Sequence, residues 1–334
     1  YMSIKQKLLK ILSDGEWHSG EVIGDKLKIT RSAVWKQLKQ LESEGLIIKK
    51  ERGKGYRLTS PFHLLCKSEI YSYLDVHTSE LLDQLDISFI VDSTNNIALN
   101  KINQHSHKQS LSGVVIFAEK QTQGKGRRGR SWISPLGCNF YGSIIWNFNC
   151  NASSLSGLSL SIGIMIAKAL ESLGCDGIEV KWPNDITWKG RKLGGILVEI
   201  IGDISGPCQV VIGIGINLNM SQNKNQLNLN DEIGQPWVDL YEITSKIINK
   251  NLLAACVLNK IFPMLANYEV NGFADLHHEW MKRDSLFGKN IQVKRGDKIL
   301  VGIANGVDDS GALLLKNENG EERLIGGEVT LNNN

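Results

Sequence analysis

The 334-residue sequence lacks the patterns of a membrane, secreted or disulfide-built protein. No stretch of about 18 apolar residues is free of charge, so we expect no transmembrane helix and no membrane partner. The first residues show no apolar segment with a small-residue cleavage site, so we expect no signal peptide. The six cysteines are scattered, with no C-x-x-C pair and no histidine at metal-ligand spacing. This predicts reduced thiols, no metal site in the protein and a cytoplasmic location.

The composition is that of an ordinary globular protein, with 42% hydrophobic and 22% charged residues. The length suits two or three domains. The net charge of +3 is unevenly spread, because residues 1–60 hold 13 Lys and Arg against 7 Asp and Glu. This local excess of positive charge predicts an anionic partner for the first domain.

The first sixty residues predict three helices and a β-hairpin, at 4–13, 21–27, 31–43, 46–50 and 56–58. This is the order of a winged helix-turn-helix, which places one helix in the major groove and its wing on the DNA backbone. A protein-docking module is the alternative, but the basic helix face and wing favour DNA. The candidate DNA-binding residues are Ser19, Arg31, Ser32, Trp35, Lys36, Lys39, Arg52 and Lys54.

The most unusual stretch is a glycine-rich loop, Gly124–Arg130, with three glycines and four cations in seven residues. Glycine allows close approach of the backbone to a ligand, and Arg and Lys donate to phosphate or carboxylate. The loop satisfies G-x-G-x-x-G and is one residue from a P-loop, but no helix follows it, so we reject both motifs. An anion-binding loop is the functional interpretation, and a solvated basic turn is the alternative.

Other polar residues stand where predicted strands end. Ser93 to Asn95 follow a strand and begin a helix, which suits a small polar group or plain helix capping. Lys181 lies in an apolar strand that Pro183 must end. A lone lysine is usually solvated, but one in such a strand is more often committed to an anion.

The remaining pattern predicts an α+β protein. Short strands at hairpin spacing and a long apolar helix at 153–173 indicate a largely antiparallel central sheet, not a doubly wound one. Several short β segments after residue 285 predict a small all-β barrel. We therefore expect a winged helix-turn-helix at 1–62, a central domain at 67–284 and a C-terminal barrel at 285–334.

Four stretches in this order resemble the motifs of biotin protein ligases: Gly124–Arg130, Lys181–Asp185, Lys192–Glu199 and Gly213–Asn217. With the helix-turn-helix in front, the chain resembles the bifunctional form of this family over nearly its whole length. The resemblance implies a central sheet with helices like that of class II aminoacyl-tRNA synthetases and biotin ligases, and an SH3-like C-terminal barrel.

The resemblance also implies a two-step reaction and a regulatory role. Biotin and MgATP would give biotinyl-5′-AMP and pyrophosphate, and a lysine of the biotin carboxyl carrier protein of acetyl-CoA carboxylase would then accept the biotin. As a homodimer on operator DNA, the protein would repress the biotin biosynthesis operon. A lipoate–protein ligase and a DNA-binding regulator with an inactive ligase domain are the alternatives.

The resemblance assigns roles to residues that match the family motifs. The catalytic residues would be Lys181, Arg127 and Lys125. Biotin would be bound by Ser93, Thr94, Asn95, Gln121, Lys125, Gly126, Arg127 and Lys181. The nucleotide would be bound by Arg128, Arg130, Trp132, Asn184, Asp185, Lys192, Asn217 and Trp237. One position departs from the family loop, because Lys125 stands where an arginine is usual, which keeps the charge but loses the bidentate geometry.

Overall fold

The computed structural model describes residues 3–104, 111–202, 206–223 and 232–332. Its first unit holds three helices and a hairpin: α1 (Ile4–Leu12), α2 (Gly20–Leu27), α3 (Arg31–Ser43), β1 (Ile48–Glu51) and β2 (Gly55–Leu58). The side chains of Ser3, Ser19 and Thr30 cap the three helices by accepting backbone N–H groups. The predicted helices and hairpin are confirmed, with small shifts at the ends of the first two helices and of the strands.

The central unit is a seven-stranded mixed sheet with helices. Its strands are β3 (Gln84–Val91), β4 (Val114–Gln121), β5 (Asn139–Phe148), β6 (Ile178–Lys181), β7 (Asp185–Trp188), β8 (Arg191–Gly202) and β9 (Cys208–Asn217). Their order in the sheet is β3-β4-β5-β9-β8-β7-β6. Only the β3–β4 pair is parallel among the described pairs. The prediction of a largely antiparallel sheet is therefore confirmed.

The helices of this unit are α4 (Lys67–Tyr73), α5 (Val76–Leu81), α6 (Thr94–Gln104), α7 (Leu158–Ser172), α8 (Leu240–Thr244), α9 (Lys250–Asn271) and α10 (His277–Met281). The predicted helix at 153–173 is divided, because Gly157 adopts a φ of +78° and separates a 3-10 turn from α7. By length and composition the segment Ala152–Ser172 could cross a membrane, but 67% of its apolar window is buried inside the protein. It carries Lys168 and Glu171 and serves as the core helix beneath the sheet.

The C-terminal unit is a five-stranded antiparallel sheet. Its strands are β10 (Asn290–Arg295), β11 (Lys298–Val307), β12 (Leu313–Asn317), β13 (Gly320–Leu324) and β14 (Glu328–Leu331). The order in the sheet is β13-β12-β11-β10-β14. β13 has no signal in the sequence, because its residues are mostly exposed and charged and show no apolar alternation.

A buried ion pair joins four parts of the chain. The Lys250 ammonium donates to Glu119 Oε2 at 2.6 Å, and the two side chains are 1% and 3% exposed. Lys250 also donates to the carbonyl of Gly137 at 3.2 Å, while Glu119 Oε1 accepts the N–H of Leu65 at 2.6 Å. The pair therefore ties the linker behind the first unit, β4, α9 and the segment after the glycine-rich loop to one another.

Replacing one member of this pair should strongly destabilise the protein. Lys250→Met leaves the Glu119 carboxylate buried without its cation, which costs about 3–5 kcal/mol. The measurement is urea unfolding followed by tryptophan fluorescence. The control is Lys282→Met, which removes an exposed pair with Glu279 and should cost at most about 1 kcal/mol. Equal unfolding midpoints for the two variants would contradict the structural role of the Lys250–Glu119 pair.

Candidate functional site

A cavity of about 630 Å³ lies on the central sheet beneath the glycine-rich loop. Its floor includes glycines of two adjacent strands, Gly213 and Gly215 on β9 and Gly195 on β8. Glycine removes the side chains that would otherwise fill this face of the sheet. The cavity is therefore built into the sheet rather than left between loosely packed loops.

The glycine-rich loop folds back on itself over this floor. The N–H of Gly126 donates to the carbonyl of Arg130 at 2.7 Å, and the N–H of Trp132 donates to the carbonyl of Gly124 at 2.8 Å. Between these bonds Arg128 takes a left-handed φ of 56°, which is uncommon for a residue with a side chain. Arg127 Nη1 donates to Asn184 Oδ1 at 3.1 Å, which draws the loop against the β6–β7 turn. Burial lowers the pKa of the Arg127 guanidinium.

Trp132 anchors the end of the loop on the glycine floor. A Cβ atom at Gly215 would lie 2.7 Å from the indole ring, and one at Gly195 would lie 3.3 Å from it. The Lys192 ammonium lies 5.5 Å from the centroid of the same ring, within the range of a cation–π contact. The indole therefore fits because position 215 is glycine, while a Cβ at position 195 would only crowd it.

Lys181 is the cation best placed to meet an anion. It ends β6 and lines the cavity, and no hydrogen bond or ion pair engages its ammonium within the described ranges. Burial lowers its pKa, an effect that Asp185 opposes. Asp185 is itself paired with Lys192 at 2.9 Å. An anionic ligand would restore the electrostatic stabilisation of the ammonium that burial removes.

A polar network lies at one end of the cavity, where α6 begins. The N–H and Oγ1 of Thr94 lie 2.9 and 3.2 Å from Gln121 Oε1. Asn95 Nδ2 donates to Glu199 Oε2 at 2.6 Å, and Ser143 Oγ lies 2.6 Å from Asn95 Oδ1. Because each amide is held by a partner, the network presents fixed donors and acceptors rather than freely rotating groups.

The other end of the cavity is closed by a segment that lies beside β8. Asn217 Nδ2 donates to the carbonyl of Val238 at 3.0 Å, and the N–H of Lys192 donates to the carbonyl of Pro236 at 3.0 Å. Trp237 lies between these contacts and is 8% exposed. The segment thus supplies an indole ring and amide groups to a wall that could cover a planar ligand.

The structure brings most of the predicted ligand residues to this one cavity. Ser93, which is 1% exposed, and Asn95, which is 4% exposed, are buried and are not among the lining residues. Their assignment as ligand contacts stays a prediction, as do the other assigned roles. The predicted residues that line the cavity are Thr94, Gln121, Lys125, Gly126, Arg127, Arg128, Arg130, Trp132, Lys181, Asn184, Asp185, Lys192, Asn217 and Trp237.

Sequence reasoning missed several residues of the site. Ser143 and Glu199 hold the polar network, and Gly327 to Thr330 reach the cavity from the C-terminal sheet. Glu328 forms ion pairs with Arg128 and Arg130 of the loop. Glu199 stands inside a quoted motif and could have been noticed, but no local signal in the sequence points to Glu328.

Metal ligation by the protein has little support in the described ranges. They contain no group of three His, Cys, Asp or Glu side chains that could hold a metal ion. Two carboxylates of the cavity are already paired, Asp185 with Lys192 and Glu328 with Arg130. A hard cation such as Mg²⁺ would therefore have to be held mainly by oxygens of a ligand and by water.

The predicted DNA-binding face is exposed on the first unit. The predicted residues Arg31, Ser32, Trp35, Lys36 and Lys39 of α3 are all exposed, as are Arg52 and Lys54 on the turn between β1 and β2. Trp35 is 53% exposed, which is unusual for so large an apolar ring. Ser19 instead serves as the cap of α2. The face carries charge and an aromatic ring toward solvent, as a nucleic-acid-binding helix requires.

A cation-rich cavity on an α+β sheet, joined to a helix-turn-helix unit, defines an anion-binding enzyme domain fused to a nucleic-acid-binding module. Three family models match the chain in the same order as these units. They are an HTH domain over residues 5–57, the Biotin/lipoate A/B protein ligase family over 87–217, and the Biotin protein ligase C terminal domain over 286–331.

Individual relatives match almost the entire chain. The chain is 37% identical to the bifunctional ligase/repressor BirA of Salmonella typhimurium, over 97% of this chain and 96% of that protein. The Escherichia coli protein of the same name is 36% identical over 98% and 97%. The biotin protein ligase of Aquifex aeolicus in complex with biotin and ATP is 26% identical, with a TM-score of 0.61 over 75% of this chain and 99% of that one. The chain belongs to the biotin protein ligase family, among its bifunctional ligase/repressor members.

Because Trp132 packs against Gly215, one added methyl group at that position should displace the indole ring. Gly215→Ala places a Cβ against the indole and should release the loop, so that backbone amides of residues 124–132 exchange hydrogen faster. Hydrogen–deuterium exchange with mass spectrometry measures this. Gly163→Ala is the control, because its Cβ would meet only ordinary van der Waals contacts. Equal exchange in this loop for both variants would show that Trp132 does not anchor it.

Proposed function

We propose that this protein attaches biotin to a lysine of a carrier protein through biotinyl-5′-AMP, and that it represses transcription through its helix-turn-helix unit. The observation that carries the enzymatic half is the free ammonium of Lys181 in a cavity ringed by Lys125, Arg127, Arg128 and Arg130. The relatives named as ligase/repressors support both halves, because the chain aligns with them from end to end.

The first step needs fixed positive charge. A carboxylate oxygen of biotin forms a bond to the α-phosphorus of ATP, the bond from that phosphorus to the β-bridging oxygen breaks, and pyrophosphate leaves with the electron pair. Negative charge develops on the α-phosphate during this exchange. Preorganised cations in a site that excludes water stabilise such charge far better than water does. Lys181 and Arg127 are the groups we assign to this role, with Lys125 beside them on the loop.

The ends of the cavity suit the two ends of the adenylate. Thr94 and Gln121 would take the ureido group of biotin, because they line the cavity and hold donors and acceptors in fixed positions, and the buried Asn95 would support them through Ser143. The wall formed by Asn217 and Trp237 would take the adenosine. In the second step a carrier lysine attacks the acyl carbon, AMP leaves with the electron pair of the anhydride bond, and the amine loses a proton.

The glycine-rich loop would also protect the intermediate. Its return path over the floor is held by two backbone hydrogen bonds and by the Arg127–Asn184 contact. Closure over the adenylate would exclude water from the acyl carbon and favour attack by the carrier lysine over hydrolysis. At position 125 this loop has a lysine where the family usually has an arginine. The Lys125 ammonium would contact the adenylate as a single point charge, without the two parallel hydrogen bonds that an arginine donates.

The finer assignments follow from the same interpretation. The carrier would be the biotin carboxyl carrier protein of acetyl-CoA carboxylase, and Mg²⁺ would accompany ATP, held by its phosphates and water. A cytoplasmic homodimer would place two α3 helices on a palindromic operator of biotin biosynthesis genes. The exposed basic face of α3 and the Arg52–Lys54 turn support contact with the DNA backbone and bases.

Biotin-dependent exchange of pyrophosphate into ATP tests the proposal. We expect exchange with biotin and none with lipoate, and Lys181→Ala should lower the biotin-dependent rate at least a hundredfold while thermal unfolding stays unchanged. Lys282→Ala, at an exposed lysine, is the matched control and should keep the full rate. Exchange with lipoate alone would show that this protein is a lipoate–protein ligase instead. No exchange with either acid would leave a regulator with an inactive ligase domain.

A further inference from the structure

A second cavity of about 660 Å³ lies on the outer side of the glycine-rich loop, between the loop and the C-terminal sheet. Arg127 and Arg128 form its wall on the loop side. Arg295 of β10 and Lys298 of β11 form the opposite wall. None of the roles assigned above uses Arg295, Lys298 or this space.

The charge of the second cavity is strongly unbalanced. Four cations line it against one lining carboxylate, Glu322, which accepts a hydrogen bond from Asn317 at 2.6 Å, and of these cations Arg128 is already ion-paired with Glu328 of the adjoining cavity. The side chains of Arg295 and Lys298 engage no hydrogen bond or ion pair within the described part of the chain. Cations gathered in a concave wall focus a positive potential and attract a multiply charged anion.

The two cavities adjoin each other. Arg127, Arg128 and Gly327 line both of them. The guanidinium groups of Arg127 and Arg128 therefore lie on the boundary between the ligand cavity and the outer cavity. An anion could pass from one cavity to the other while keeping contact with these two arginines.

We propose that the outer cavity is a polyphosphate subsite that receives the pyrophosphate end of the nucleotide during adenylation. This deepens the function proposed above and rests on it for the source of the ligand. When the bond between the α-phosphorus and the bridging oxygen breaks, the departing group takes the electron pair and leaves as a multiply charged anion. Arg295 and Lys298 supply two cations of the outer cavity beyond the loop arginines that it shares with the ligand cavity.

Two ligands would present the same polyphosphate group to the outer cavity. They are bound ATP, through its β- and γ-phosphates, and free pyrophosphate. The test variant is Arg295→Gln with Lys298→Gln, at two exposed positions whose replacement leaves the core intact. The matched control is Lys294→Gln, which removes one charge from the same strand outside the cavity. Thermal unfolding of all proteins verifies that they are folded.

The first arm measures pyrophosphate as an inhibitor of adenylate formation in the full-length protein. We expect the double variant to raise its inhibition constant at least tenfold, with the KM for biotin unchanged and the control like wild type. A parallel rise in the KM for ATP identifies the β- and γ-phosphates as the occupant. A rise confined to pyrophosphate inhibition identifies the free product.

The second arm separates this proposal from the proposed function. Titration calorimetry measures pyrophosphate binding directly, without biotin or turnover, and inorganic phosphate serves as the singly phosphorylated comparison. Loss of pyrophosphate affinity in the double variant alone supports the subsite even in a protein without exchange activity. Equal pyrophosphate affinity in wild type, double variant and control would overturn the proposal.

Discussion

The buried pair between Lys250 and Glu119 is the contact on which the arrangement of the other parts depends. A charge pair this deeply buried is favourable only when its remaining lone pairs and protons find partners, and here the partners are Gly137 and Leu65. Gly137 in turn packs on Phe62, since a Cβ atom there would lie 2.4 Å from that ring. One polar centre therefore fixes the linker of the DNA-binding unit against the strand that ends at Gln121.

The segment between the glycine-rich loop and this pair connects two surfaces of the protein. At one end Trp132 lies in the ligand cavity, and at the other end Leu136 belongs to the hydrophobic core of the first unit. Ser134, between them, lies 3.5 Å from Gln121. The cavity and the helix-turn-helix unit thus share a short and partly buried segment of the chain.

Local patterns predicted the helices of the first unit, the largely antiparallel sheet and the cations of the cavity, because periodicity and glycine content are properties of neighbouring residues. The predicted first and last residues of α3, Arg31 and Ser43, are those of the structure. Contacts between distant residues had no such signal, and Lys250 and Glu119 are 131 positions apart. The role of Glu328 was missed for the same reason, since the C-terminal sheet meets the loop only in the folded chain.

We propose that formation of the adenylate raises the affinity of the helix-turn-helix unit for DNA, because the ligand cavity and that unit share the segment between Trp132 and Leu136. The most direct measurement is a gel-shift with operator DNA, using the full-length protein with and without biotin plus ATP. Affinity should rise with the two ligands, fall steeply with salt, and stay at its unliganded value in Lys181→Ala. An affinity that is the same with and without biotin and ATP in the wild-type protein would contradict the coupling.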